Sequence, residues 1–175
     1  MNKNQEKTDM SILSEEDIKE YVLKRFDDVK KGKISNLVTF QAMNKYMLMV
    51  HDQNELKILG NIVASYKKVS LSEIMSEYEK HLRKALEKPP TTKSHANAIM
   101  HIFGYFSKKF NVSEKELFFK LLNQFREGKI TVGKILSEIN PITYRFNTTY
   151  LANQTYFLLY ADNQLGNFFQ MLSQK

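Results

Sequence analysis

The chain has 175 residues, 42% apolar and 26% charged, a composition that suits one globular domain with its own core rather than a disordered segment. It contains no cysteine, which excludes disulfides, thiolate catalysis and cysteine-ligated zinc or iron–sulfur centres. A net charge of +7, with a pI near 9.4, points to polyanionic partners, nucleic acid or an anionic membrane, with plain solubility as the alternative.

Residues 1–12 are polar and read as a frayed tail without the apolar centre of a signal peptide. No window approaches the ~18 to 20 apolar residues that cross a bilayer, so the expectation is a cytoplasmic protein without membrane attachment. Residues 13–175 read as a single domain. Ser14 followed by Glu15, Glu16 and Asp17 starts a first helix, with Ile18, Val22 and Phe26 on one face. Gly32 is placed to end it in the left-handed conformation. A second helix is expected over 36–51, where the methionines serve as core filler or as an adaptable groove. A third runs over 55–66, and a fourth follows Ser70, its end rich in Lys80, His81, Arg83, Lys84 and Lys88.

Pro89-Pro90 stops that helix, and Thr91, Thr92 and Ser94 offer caps for the next. From there Ile99, Ile102, Phe103, Phe106 and Phe110 recur at helical steps, while Lys93, Asn97, His101, Tyr105 and Lys108 form a polar stripe on the other side. Gly104 inside this helix predicts a close neighbour, because glycine there costs about 1 kcal/mol against alanine. Between Lys67 and Lys109 nine lysines and arginines face four glutamates, so the basic excess is concentrated here. Ser113 with Glu116 predicts a capping box for a helix ending at Gly128. A further helix from Thr131 is expected to be interrupted at Gly133 and Asn140-Pro141. The last segment, Tyr150 to Leu172, is aromatic and nearly uncharged, suited to burial or to a dimer contact through Phe168 and Phe169. No alternating strand pattern occurs. The expected fold is an all-α, single-domain orthogonal bundle of about seven helices.

Catalytic signatures are absent. His95 and His101 lie six apart and face differently, His-Glu-x-x-His does not occur, and neither a nucleophile elbow nor a glycine-rich phosphate loop is present. No metal or other cofactor is expected. His95, at a helix start, either caps and packs locally or donates to a phosphate. The strongest signal is the basic stripe: Lys84, Lys88, Lys93, His101, Lys108 and Lys109 for phosphates, Asn97 and Tyr105 for an exposed base. An enzyme site built on His95, Asn97, His101 and Lys45 is the competing reading.

Four segments carry a resemblance. HANAIMHIFGYFSK (His95 to Lys108), LVTFQAMNKYMLMVH (Leu37 to His51), FREGKI (Phe125 to Ile130) and TTYLANQTYF (Thr148 to Phe157) resemble the signatures of the YbgA-like family, a prokaryotic helical domain of unknown function. The resemblance predicts histidine at the position of Gln41, proline at Thr131 and a Pro-Tyr-Pro-like run near Leu158 to Asp162, so any role needing that histidine is altered here. Domains of this family often accompany a cysteine-bearing desulfidase that acts on thiolated uracil or thiouridine in RNA. The resemblance therefore implies an accessory RNA-binding role, with transfer RNA as a candidate, beside a separate modifying or desulfurising enzyme. It adds Lys45 and Arg126 to the candidate RNA-binding residues, alongside His95.

Overall fold

The structure, a computed structural model, describes residues 13–146 and 149–162. Among the described residues the regular structure is entirely helical: α1 (Glu15–Lys30), α2 (Ile34–Met43), α3 (Lys45–His51), α4 (Gln53–Ala64), α5 (Leu71–Glu87), α6 (Thr92–Phe106), α7 (Val112–Arg126), α8 (Val132–Arg145), α9 (Thr149–Ala152) and α10 (Thr155–Tyr160). The all-α expectation holds; the expected count of about seven is too low. The tail at 1–12 and the contact through Phe168 and Phe169 lie outside the described residues.

The extra helices arise from breaks that periodicity does not signal. The expected helix over 36–51 is two, divided at Asn44, whose side-chain amide donates to the Phe40 carbonyl at 2.8 Å. A short polar side chain bonded to the backbone in this way competes with helix continuation. The reverse occurs in α8, which runs through Pro141 without a break. The described part of the aromatic tail holds two short helices, α9 and α10.

Most starts follow the expected chemistry. Ser14 caps α1 by accepting from the Asp17 amide at 3.1 Å, while Asp17 accepts from the Ser14 amide. Ser70 caps α5 and Thr91 caps α6. For α7 the cap is Asn111, which accepts from the Glu114 amide at 2.8 Å, and Ser113 falls inside the first turn. Thr131, where the resemblance predicts proline, accepts from the Lys134 amide at 3.1 Å and so starts α8.

Three glycines are used differently. Gly128 has φ 74° and closes α7, with Lys129 N–H reaching the Gln124 carbonyl at 2.8 Å. Gly32 is not left-handed; a Cβ there would sit 2.6 Å from the Asn36 side-chain oxygen, so close approach explains it instead. Gly104 has no such reason. A Cβ at Gly104 would meet nothing within 4 Å, and the expected close neighbour is absent.

The core is organised around α3. Tyr46 through His51 are all buried, and α3 packs against α2, α4, α5, α6 and α10. A short helix that is apolar nearly all round belongs inside, which makes Met47 and Met49 core filler. Each such side chain contributes about 1.5–3 kcal/mol by leaving water. Phe26, Phe40 and Tyr78 join α1, α2 and α5 with ring centroids 5.4–6.1 Å apart. Gln41 accepts a hydrogen bond from the buried Tyr78 hydroxyl, a role that needs an acceptor but not an imidazole.

Candidate functional site

Helix α6 presents two different faces. Ile99, Ile102 and Phe106 are buried and Phe103 is half-buried, so the predicted apolar stripe is the one turned inward. Lys93, His101 and Tyr105 are exposed and Asn97 is half-buried, with Lys108 and Lys109 exposed just beyond the helix. Lys88, Lys93 and Lys108 make no ion pair among the described residues, and Lys109 lies 5.3 Å from the Phe146 ring centroid. Residues 93 to 105 span about 18 Å at the helical rise, long enough for several successive phosphates. Asn97 is already engaged, donating to the Gln53 side chain at 3.3 Å.

Lys84 stands apart from this set. Its Nζ lies 2.7 Å from a Glu55 carboxylate oxygen, while His81 Nδ1 lies 2.6 Å from the other. Burial alone would raise the Glu55 carboxyl; the hydrogen bonds and charges of Lys84 and His81 outweigh it and hold it below its usual value. The Lys84 charge is therefore largely neutralised, whereas Lys88 and Lys93, across the Pro-Pro turn, are not.

His95 does not face outward. It is buried, its Nδ1 is 2.6 Å from the Tyr156 hydroxyl, and the two rings stack at 15°. Tyr160 and Phe125 meet the same imidazole edge-on. Burial, helped by the nearby His51, pulls the His95 pKa down to about 4, so the ring is neutral near pH 7. The ring is turned away from solvent, and its partners are not local: they come from α7 and α10 rather than from the helix start or the Pro-Pro turn. His51 is similarly enclosed: Nδ1 lies 2.8 Å from the Lys88 carbonyl and Nε2 3.0 Å from the Tyr160 hydroxyl. Burial lowers its pKa too. The Tyr160 hydroxyl donates to Glu15 at 3.1 Å, which ties the start of α1 to α3 and α10.

A second convergence lies at the other side of α3. Tyr46 is buried, with the exposed Tyr105 and the half-buried Tyr150 beside it. The Tyr105 and Tyr150 rings are 5.9 Å apart at 31°, and Lys45 Nζ stands 5.7 Å from the Tyr46 ring centroid. Gln154 fixes this arrangement: its Nε2 donates to the Ala42 carbonyl at 2.7 Å, and its Oε1 accepts from the Tyr46 amide at 3.4 Å.

Tyr150, Gln154 and Tyr156 of the TTYLANQTYF segment thus each reach a different partner. Tyr150 meets α6, Gln154 the α2–α3 junction, and Tyr156 His95. The enzyme set does not converge in the same way, since His95 is enclosed and His101 exposed on one helix while Lys45 borders the tyrosines. Arg126 is exposed at the end of α7, next to Phe125, which touches His95. Sequence reasoning missed Tyr46, Tyr150 and Tyr160. All three lie in or beside the segments that carried the resemblance, which was the available signal.

These contacts define a small all-α protein in which a basic outer helix face overlies a core pinned by buried histidines and tyrosines. A family model with the description "Protein of unknown function (DUF1722)" matches residues 45–161, from the first residue of α3 to just past α10, and the chain belongs to that family. "Uncharacterized protein YbgA" of Escherichia coli (strain K12) is similar, 25% identical over 125 residues that cover 71% of this chain and 74% of that protein. No solved structure matches. Helices α1 and α2 precede the matched residues. Among the described residues no helix is long and apolar enough to cross a membrane.

Proposed function

We propose that this chain is an accessory RNA-binding protein, with transfer RNA the first ligand to test, that presents RNA to a separate modifying or desulfurising enzyme in the cytoplasm. The reading takes residues 13–175 as one domain whose helices cross orthogonally. One observation carries it: the outer face of α6 and its flanks place Lys88, Lys93, Lys108 and Lys109 in solvent without an acidic partner among the described residues, with His101 and Tyr105 between them. Free cations in a row bind phosphates by releasing counterions, whereas cations already paired with carboxylates gain little. Lys84 is expected to add little for that reason.

The test is fluorescence polarisation with bulk transfer RNA at low and near-physiological salt, using the wild type and the variant Lys93→Glu/Lys108→Glu/Lys109→Glu. Binding is expected to weaken log-linearly with salt. Each lysine removed lowers the slope by about 0.7–0.9. The substituted side chains are exposed, so the fold should persist. Wild-type binding that the triple variant retains undiminished would remove the assignment to α6.

A further inference from the structure

Exposed tyrosines usually sit alone on a surface; here one is backed by two others and bordered by cations. Tyr105 is 45% exposed, rests against Tyr150 at 5.9 Å, and has the buried Tyr46 behind it. These three rings come from α6, α9 and α3, so the fold, not a local turn, brings them together. His101 lies one turn before Tyr105 on α6, Lys108 is exposed in the turn that follows the helix, and Lys45 borders the cluster from α3.

From this arrangement we infer that Tyr105, supported by Tyr150, is a stacking platform for one unpaired nucleobase, so that the RNA bound is single-stranded at this point rather than duplex. The inference rests on the RNA-binding reading above and adds its substrate class. A flat aromatic ring held by neighbours loses little freedom when a base stacks on it, and every base offers a π-face, so such contact tolerates sequence but requires an unstacked base. A base sandwiched between two rings would hold them about 6.8 Å apart, twice the stacking step of about 3.4 Å. The observed 5.9 Å leaves no such slot, so the base must lie on the outer face of Tyr105. Lys108, three residues on from Tyr105, and Lys45, beside the Tyr46 ring, are the cations available to the flanking phosphates. Within a duplex every base is already stacked and paired, and the platform has nothing to receive.

The experiment compares a short labelled RNA as a single strand, the same strand annealed to its complement, and the same strand carrying abasic sites. Each is titrated with wild type, Tyr105→Leu and Tyr105→Phe. The wild type should prefer the single strand over both the duplex and the abasic strand by about tenfold. Tyr105→Leu should lose that preference with duplex affinity and salt slope unchanged, and Tyr105→Phe should keep it. If wild type binds all three alike, or Tyr105→Leu weakens every ligand equally, the platform is overturned while the RNA reading stands. If wild type binds none of them, both fall.

Discussion

Replacing His95 with glutamine should flatten the acid side of the stability profile, because this imidazole is buried neutral. Its folded pKa is pulled from 6.5 to about 4 by burial and by the neighbouring His51. A group whose folded value is depressed binds fewer protons folded than unfolded, so stability is complete above the unfolded pKa and is lost as pH falls. Between pH 7 and pH 5 the unfolded chain protonates this residue and the folded chain does not. That costs about 2 kcal/mol, rising to about 3 kcal/mol at pH 4. Glutamine reaches Tyr156 with an amide that does not titrate, while Tyr160, Phe125 and His51 around it are unchanged. Urea unfolding followed by far-ultraviolet circular dichroism, at several pH values for both proteins, measures the difference directly. His51 titrates in both, and its coulombic interaction with His95 is part of what the substitution removes. Only the pH dependence is compared, since the substitution also alters packing at every pH. Parallel profiles for the two proteins would mean that His95 is not held neutral by burial, and the account of the core given above would fail.

Gly104 and Gly128 should respond to alanine in opposite directions. Gly104→Ala meets open space and should stabilise the protein by about 0.5–1 kcal/mol in thermal or urea unfolding. Gly128→Ala forces an L-residue to φ 74° and should cost about 1–2 kcal/mol in the same assay. Gln154→Leu leaves the Tyr46 amide and the Ala42 carbonyl without their partner, and should cost about 2 kcal/mol or more. Thr131→Ala removes the cap of α8 and should cost about 1 kcal/mol, whereas Thr131→Ser should be close to neutral.

Periodicity made the two faces of α6 legible, because a helix with one side in water and one in the core writes that division into its residues every three or four positions. Ser14, Ser70 and Thr91 were readable as caps for the same local reason. Asn44 was not readable as a break, since its effect depends on one rotamer that reaches the Phe40 carbonyl. Lys84 looked like part of the basic surface because its partner, Glu55, belongs to another helix. His95 is the clearest case: its surroundings come from α7 and α10, and nothing within a turn of it shows that the ring will be enclosed. Family resemblance reached further than pattern, since three of the four segments it singled out meet around α3 and the fourth supplies Phe125 against His95. It identified them without showing that Tyr46, Tyr105 and Tyr150 would share one surface.

Gln154 joins a residue near the end of the described chain to Ala42 and Tyr46, sequence separations of 112 and 108. Such contacts form only after most of the chain has been brought together, and the entropy of closing so large a loop is met late in folding. During synthesis α2 and α3 emerge early, yet the junction between them stays open until the Tyr150–Tyr156 segment leaves the ribosome and docks. The buried His95 waits for the same event, because Tyr156 arrives with Gln154. A chain stopped before residue 150 would thus have most of its helices but an unsealed centre, with α3 exposed along one side. The end of the family motif acts as a completion signal for the fold, and shortened or stalled products should be marked by protease sensitivity at the α2–α3 junction.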